Sequence, residues 1–324
     1  MNIPLHKTEN FKENDIYFNP ISEQQFELMK NGKKLALFNF VPTKGGSEAA
    51  TLMGQGHLDA AVCSNTAMLS AYDQGTDVKI LCPIQTDGVS LVFGPDKDFY
   101  GWEEVKKYIQ KSDVPVKIGY HSPVSGPRIV LESVLKTEGL NVTENPNDIE
   151  ADVLLIDLKG SQNLLPSLTS KQVDAWVGPS HYPEAAEHEN LGKIVLNLKD
   201  FPPKGKWENF PCCVFSAREE VMSKYPEVFD AMVQLITDDA KYCMKNKEDV
   251  ADVLSNVIGV HEDVVKSSTI TYTTNPTEKW IDGIKVYYTA LDKMDKFNGR
   301  LKNKDFDEVK EKVFEFKYAE EANK

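Results

Sequence analysis

Arginine is nearly absent from this chain. Arg128, Arg218 and Arg300 are the only three, and lysine carries the rest of the positive charge. Basic residues are also outnumbered: 50 Asp and Glu against 37 Lys and Arg give a formal net charge of −13. That balance argues against nucleic acid or an anionic membrane surface as partner. It does not exclude an anionic small ligand, because a pocket feels its local dipoles more than distant surface charge. Cysteine is sparse as well. Cys63, Cys82, Cys212, Cys213 and Cys243 are too scattered for a disulfide framework, and no CxxC pair offers a zinc site. All five read as small buried hydrophobes. No apolar run approaches the length of a membrane span. No charged-then-apolar leader opens the chain, which fits either a cytoplasmic protein or the mature form of an exported one.

What is present is strongly patterned. A chain of 324 residues exceeds the size at which one core stops growing, so two lobes are expected. Short apolar runs at 34–40, 58–63, 78–84, 89–95, 116–121, 152–158, 173–178, 193–198 and 212–217 read as strands covered on both faces. Helical patterns lie between them. Ser47 and Glu48 open one at 47–55, a second at 65–75 ends in Gly75, and Pro127 opens a third at 127–140. Beyond residue 216 the pattern is almost wholly helical. Alternation of this kind predicts an α/β fold with mainly parallel sheet, followed by a helical tail.

One unit occurs twice. LMGQGHLDAAVCSNTAMLSAYDQG (52–75) and LPSLTSKQVDAWVGPSHYPEAAE (165–187) share an apolar stretch, a "DA" pair, a hydrophobic strand, a polar cluster and an alanine-bearing helix. Between them, PDKDFYGWEEVKKY (95–108) reads as a crossing between lobes, and FPPKGKWENFPCC (201–213) as the return. Two connections make a hinge around a cleft that closes on a small molecule.

Polar clusters follow the strands. In open α/β sheets ligands bind beyond the carboxyl ends of strands, where helix N-termini offer free N–H groups to anionic or polar atoms. The candidates are Thr43, Gly45, Gly46 and Ser47 in TKGGSE, Ser64 and Asn65 in CSNT, and Gln85 in PIQTD. The other half adds Ser122, Ser125 and Arg128 in HSPVSGPR, with Gly178, Ser180 and His181 in VGPSHY. Any one cluster taken alone reads as a cap or turn before a site; five at the ends of successive strands favour a site. TKGGSE lacks the P-loop spacing, no HExxH and no GxSxG are present, and the six histidines show no metal-ligand pattern. No cofactor or metal is expected. Only His121, His181 and Cys213 stand as candidates for a reactive group. Asp59 and Asp174, at the opposite ends of their strands, are expected to fix turns rather than touch ligand.

The ordered set of units resembles the solute-binding proteins of nitrate, sulfonate and taurine ABC importers, including the thiamine-pyrimidine-related branch. The resemblance rests on GQGHLDAAVCSNTAMLSAYDQGTDVKILCPI with VSLVF, on VKIGYHSPVSGPRIVLESVLKTEGL, and on LTSKQVDAWVGPSHYPEAAEHENLGKIV. It runs on through AREEVMSKYPEVFDAMVQLITDDAKYCMKNKEDVADVLS and covers roughly residues 47–260. It implies a two-lobed type II periplasmic-binding-protein fold with a two-segment hinge and a helical C-terminal tail. Residues 1–94 plus 212–324 would form one lobe and 95–211 the other. It further implies an extracytoplasmic, monomeric, non-enzymatic protein that captures a sulfonate-, carboxylate- or pyrimidine-like solute and delivers it to a membrane permease and its ATPase. Arg128 would then hold a carboxylate or sulfonate. The alternative on the same fold is a cytoplasmic enzyme of thiamine-pyrimidine or menaquinone-precursor synthesis, since NFPCCVF (209–215) partly matches the Cys-rich run of the pyrimidine synthases.

Overall fold

The computed structural model describes residues 2–324. After two short helices, Asn2–His6 and Glu9–Lys12, comes a three-stranded antiparallel meander, Ile16–Pro20, Gln25–Lys30 and Lys33–Asn39. Asn31 and Gly32 turn the second strand into the third with φ of 51° and 71°. Both residues thus have the left-handed backbone that a two-residue hairpin of matching twist requires. Phe18, Phe26, Phe38 and Phe40 meet on one side of the meander at 5.5–6.2 Å. Those rings join the core that the helix Pro226–Lys245 builds with Leu81, Cys82 and Phe215.

Two further sheets carry the α/β part. The smaller has Cys213–Arg218 at its centre, antiparallel to Ala60–Ser64 on one side and Val78–Pro83 on the other. The larger has six strands in the order Lys193–Asn197, Val89–Phe93, Ala175–Pro179, Val116–Tyr120, Val153–Asp157, Val142–Thr143. Pairing is parallel from Ala175–Pro179 outward through the last three, and Val89–Phe93 runs antiparallel to both of its neighbours. Every residue of Val89–Phe93 is buried, as a central strand requires, with the one polar side chain, Ser90, donating to Asn197 Oδ1 at 3.0 Å.

That strand corrects the expected boundary. A division at 94/95 puts residues 89–93 in the first lobe, yet they lie inside the six-stranded sheet. The chain instead crosses just before them. Gln85–Thr86 pairs with Thr271–Tyr272, Thr86 bridges to Pro211, and Asp87 N–H donates to Phe210 O at 3.0 Å. Asp87 and Gly88, with φ of 61° and 66°, complete the turn. The Asp-Gly pair is the turn signal; the charged stretch at 95–108 only leads into the helix Trp102–Gln110 within the second lobe. The return passage, residues 201–212, lies beside the outgoing one, and the two share backbone hydrogen bonds.

The helical tail does more than cover one face. The helix Glu278–Lys293 packs against both Asn65–Asp73 of the first lobe and Gly126–Thr137 of the second. Its Tyr287 ring lies 4.8 Å from Phe210 on the return passage. Trp207 and Phe210 join that same core, so the region around the two crossings is sealed by aromatic packing.

Candidate functional site

The site is built where the ends of the smaller sheet meet the second lobe. Ser64 ends the strand Ala60–Ser64 and caps the helix Asn65–Asp73, its Oγ accepting from Ala67 N–H at 3.4 Å. Asn65 is almost fully buried. Its N–H and its Nδ2 both donate to Cys212 O, at 3.1 and 2.8 Å, which ties the helix start to the return passage. The Oδ1 of Asn65 is buried and has no partner. Gln85 Nε2 contacts Cys212 Sγ at 3.8 Å from the outgoing passage. The loop at 43–47 closes over this corner because Gly46 has no side chain: a Cβ there would stand 2.8 Å from Ala67 Cβ and 3.0 Å from Ser64 Oγ. Only glycine permits that approach.

Two hydrogen bonds join the lobes at this corner. Ser47 Oγ meets Ser122 Oγ at 3.0 Å, and Thr66 Oγ1 donates to Val124 O at 2.6 Å. Ser125 Oγ turns back on Ser122 O at 2.8 Å, holding the segment 122–125 in shape. The structure thus gathers Gly46, Ser47 and Ser64 at one corner with Ser47 against Ser122, while Asn65 and Gln85 both meet Cys212 beside it. Cys212 was not among the expected contacts, and Thr66 entered only as the last residue of CSNT. Thr66 stands two residues after the N-cap Ser64, in the first turn of the helix.

The remaining candidates lie elsewhere. Thr43 lines a groove of about 800 Å³ between residues 35–41 and 60–62. Gly178 is buried, and a Cβ on it would press within 2.8 Å of Leu164. Ser180 N–H donates to Gly88 O at 2.8 Å and its Oγ to Glu184 at 2.6 Å. His181 Nδ1 is buried without a partner, and burial lowers its pKa. Ser180 therefore packs on Gly88. Among the described residues no hydrogen bond links the cluster at 178–181 to the cluster at 63–66. Arg128 is fully enclosed within its own lobe. Nη1 donates to Pro123 O at 2.7 Å, and Nη2 pairs with Glu132 and Glu144 at 3.1 and 3.0 Å. Its charge is already balanced, so it offers none to a ligand. The aspartates of the duplicated unit serve structure. Asp174 accepts from Lys117 N–H at 2.9 Å, and Asp59 pairs with Arg218 at 2.8 Å.

Burial shifts the candidates for a reactive group. The neighbouring Cys212 thiol and burial push Cys213 well above the ordinary thiol value, the wrong direction for a nucleophile. Burial takes His121 down to about 4, against a small opposing pull from Asp157. Because that folded value lies below the unfolded one of about 6.5, the unfolded state gains its proton first on acidification. The stability due to neutral His121 is complete above that pH and falls away toward pH 4. At 1.36 kcal/mol per unit the loss amounts to up to about 3 kcal/mol. Urea unfolding at pH 7.5 and pH 5 should show this slope in the wild type and a shallower one in His121→Gln. Equal slopes would place the buried imidazole in water.

A model described as the NMT1-like family matches residues 22–258. No curated protein sequence matches. Solved structures do. The ligand-binding component of an ABC-type import system from Staphylococcus aureus, in a zinc-bound structure, is 16% identical with a TM-score of 0.69, over 88% of this chain and 87% of that one. The periplasmic nitrate-binding protein NrtA from Synechocystis PCC 6803 is 13% identical at TM-score 0.69, over 99% and 84% of the two chains. The periplasmic aliphatic sulphonate binding protein SsuA from Escherichia coli is 13% identical at 0.66, over 97% and 88%. The fold is that of the type II periplasmic binding proteins, with a helical C-terminal tail.

Proposed function

The chain belongs to the NMT1-like family, and from that premise we propose that it is the solute-binding component of an ABC importer. It captures a small organic molecule between its lobes outside the membrane, as a monomer, and passes it to a permease driven by its ATPase. The observation that carries this reading is the unpartnered Asn65 Oδ1, buried beside two hydrogen bonds that join the lobes. A buried amide oxygen without a donor costs about 1–3 kcal/mol, and a ligand donor would recover that. With Arg128 already paired, a polar or anionic end would be met by backbone N–H groups at helix starts rather than by a guanidinium. Ser47, Ser64, Asn65, Gln85, Ser122 and Ser125 form the proposed contact set. A donor-bearing head, as in an aminosulfonate or an aminopyrimidine, fits Asn65 better than a bare oxyanion. No helix among the described residues is long and apolar enough to cross a membrane.

The test is calorimetry and melting with taurine, methanesulfonate, nitrate, benzoate and an aminopyrimidine. One of the two donor-bearing compounds, taurine or the aminopyrimidine, should bind and raise Tm, and Asn65→Ala should weaken it roughly 5–150-fold, the equivalent of about 1–3 kcal/mol. Turnover of a compound by the purified chain alone would replace transport with enzymatic chemistry. Undiminished affinity in Asn65→Ala would remove this corner as the site.

A further inference from the structure

Away from the cleft, two histidines and one aspartate from different parts of the chain come together at the surface. His188 ends the helix Tyr182–His188, which packs on the strands Lys193–Asn197 and Val89–Phe93 of the six-stranded sheet. His261 and Asp263 begin the helix Glu262–Lys266, which packs on Lys247–Ile258 in the helical tail. The two imidazoles stack with centroids 4.7 Å apart and planes 22° from parallel. His261 Nδ1 stands 3.4 Å from Asp263 Oδ2. One ligand atom from each of the three side chains falls within 4.8 Å of the others.

We propose that His188, His261 and Asp263 form a binding site for a divalent transition metal of the zinc class, one that ties the second lobe to the helical tail. Two imidazoles and a carboxylate are a donor set that zinc, cobalt and nickel accept, with water filling the fourth place. The spacing fits. Bonds of about 2.0–2.1 Å in a tetrahedral site place neighbouring ligand atoms roughly 3.3–3.4 Å apart and two imidazole centroids about 5 Å apart. The His261 and Asp263 atoms already have that separation, whereas the stacked His188 ring does not yet aim its lone pair at the same point. His188 has to turn out of the stack to complete the site, a rotation open to an exposed side chain. The lone pair on His261 Nδ1 at present accepts a long 3.2 Å hydrogen bond from Asp263 N–H, and the ion would take its place. Hard cations are disfavoured, since only one of the three ligands is an oxygen.

The location gives the site a consequence. The ion would connect the helix after Ala175–Pro179 with the helix against which His181 rests, on elements that the chain links only through the crossings. Bound metal therefore favours one relation of lobe to tail, independently of whatever occupies the cleft.

Titration of the full chain with Zn²⁺ by calorimetry, and with Co²⁺ by visible absorption, tests the site. The expected result is one equivalent bound with a Kd below about 100 µM, a tetrahedral Co²⁺ spectrum, and a Tm that rises with Zn²⁺. His188→Ala and His261→Ala should each weaken binding at least tenfold and abolish the Co²⁺ band. Asp263→Asn should weaken it less, and the control His6→Ala/His57→Ala should bind as wild type does. Wild-type binding no tighter than 1 mM, or binding unchanged in His188→Ala, overturns the proposal. Binding lost only on blocking the thiols transfers the metal to the cysteines and overturns it equally.

Discussion

Replacing Arg128 with methionine is expected to lower the unfolding free energy by about 3–5 kcal/mol, the usual cost of stripping one partner from a buried ion pair. Arg128 has 2% of its side chain exposed and Glu132 9%. The guanidinium also lies 4.6 Å from the Tyr120 ring, and the Tyr120 hydroxyl donates to Glu144 at 2.6 Å. Methionine keeps the length and the apolar contacts but leaves Glu132 with only Lys136, at 2.7 Å, on its solvent side. Urea unfolding measures the loss. Adding Glu132→Leu should recover most of it, because a packed apolar pair replaces a buried ionic one at little net cost, and the double-mutant cycle isolates the coupling. Burial would raise the Glu144 carboxyl, yet the Tyr120 hydroxyl and Arg128 outweigh it and hold it below the usual range. Its contribution is therefore present above about pH 4.3 and lost as pH falls through the folded value. Arg128→Met should flatten that acid limb. A loss under 1 kcal/mol would mean that Arg128 is free, and would return it to the ligand.

Arg128 also shows what the sequence concealed. An arginine in the first turn of a helix after a polar cluster is the pattern of an anion contact, and SPVSGPR has it. Nothing local reveals that Glu132 one turn on and Glu144 beyond the helix will take up the charge first. The strands were legible because sheets covered on both faces need largely apolar runs, and VSLVF, VLLID and AWVGP are largely apolar. Which sheet a run joins was not legible. Val89–Phe93 follows its neighbours of the first lobe by only a few residues, and just the Asp87-Gly88 turn marks the change. The N-terminal hairpin was legible in principle from Asn31-Gly32, but charged Lys30, Lys33 and Lys34 around the turn hid the alternation.

The duplicated unit was readable as scaffold and unreadable as a site. Both aspartates hold the starts of their strands, one through a backbone N–H and one through a guanidinium. The polar clusters at the far ends diverge, because the strands belong to sheets on opposite sides of the crossings. The cluster at 63–66 meets residues 122–124 of the other lobe, and that at 178–181 meets Gly88 and the tail. Contacts of this kind, like the His188–His261 pair, depend on how lobes and tail come to rest, which no local pattern encodes.

The second large effect is expected at Asp73. This carboxylate is 5% exposed and sits in the last turn of the helix Asn65–Asp73, where the helix dipole opposes a negative charge. It is held there by three backbone donors of a distant segment: Asn298 N–H at 2.9 Å, Gly299 N–H at 3.1 Å to either oxygen, and Leu301 N–H at 2.8 Å. Between them Arg300 N–H donates to the Asp73 carbonyl at 3.0 Å. The clasp fixes residues 298–301 against the first lobe and seats Phe297 and Leu301 in the main core, each 1% exposed. Hydrogen bonds to a charged acceptor contribute about 1.5–3 kcal/mol each and are not additive. Asp73→Ala should therefore cost roughly 3–5 kcal/mol, more than any single hydroxyl of the cleft. At about 2–4 °C per kcal/mol, the scale for domains of 150–250 residues, Tm should fall by on the order of 10 °C. Asp73→Asn should lose less, since one amide oxygen still accepts. Hydrogen exchange distinguishes this clasp from general destabilisation: the amides of Asn298, Gly299 and Leu301 should exchange far faster in Asp73→Ala, while those of Val89–Phe93 slow or quicken only with global stability. Unchanged protection at Asn298 to Leu301 would show that the tail is held by its aromatic packing alone.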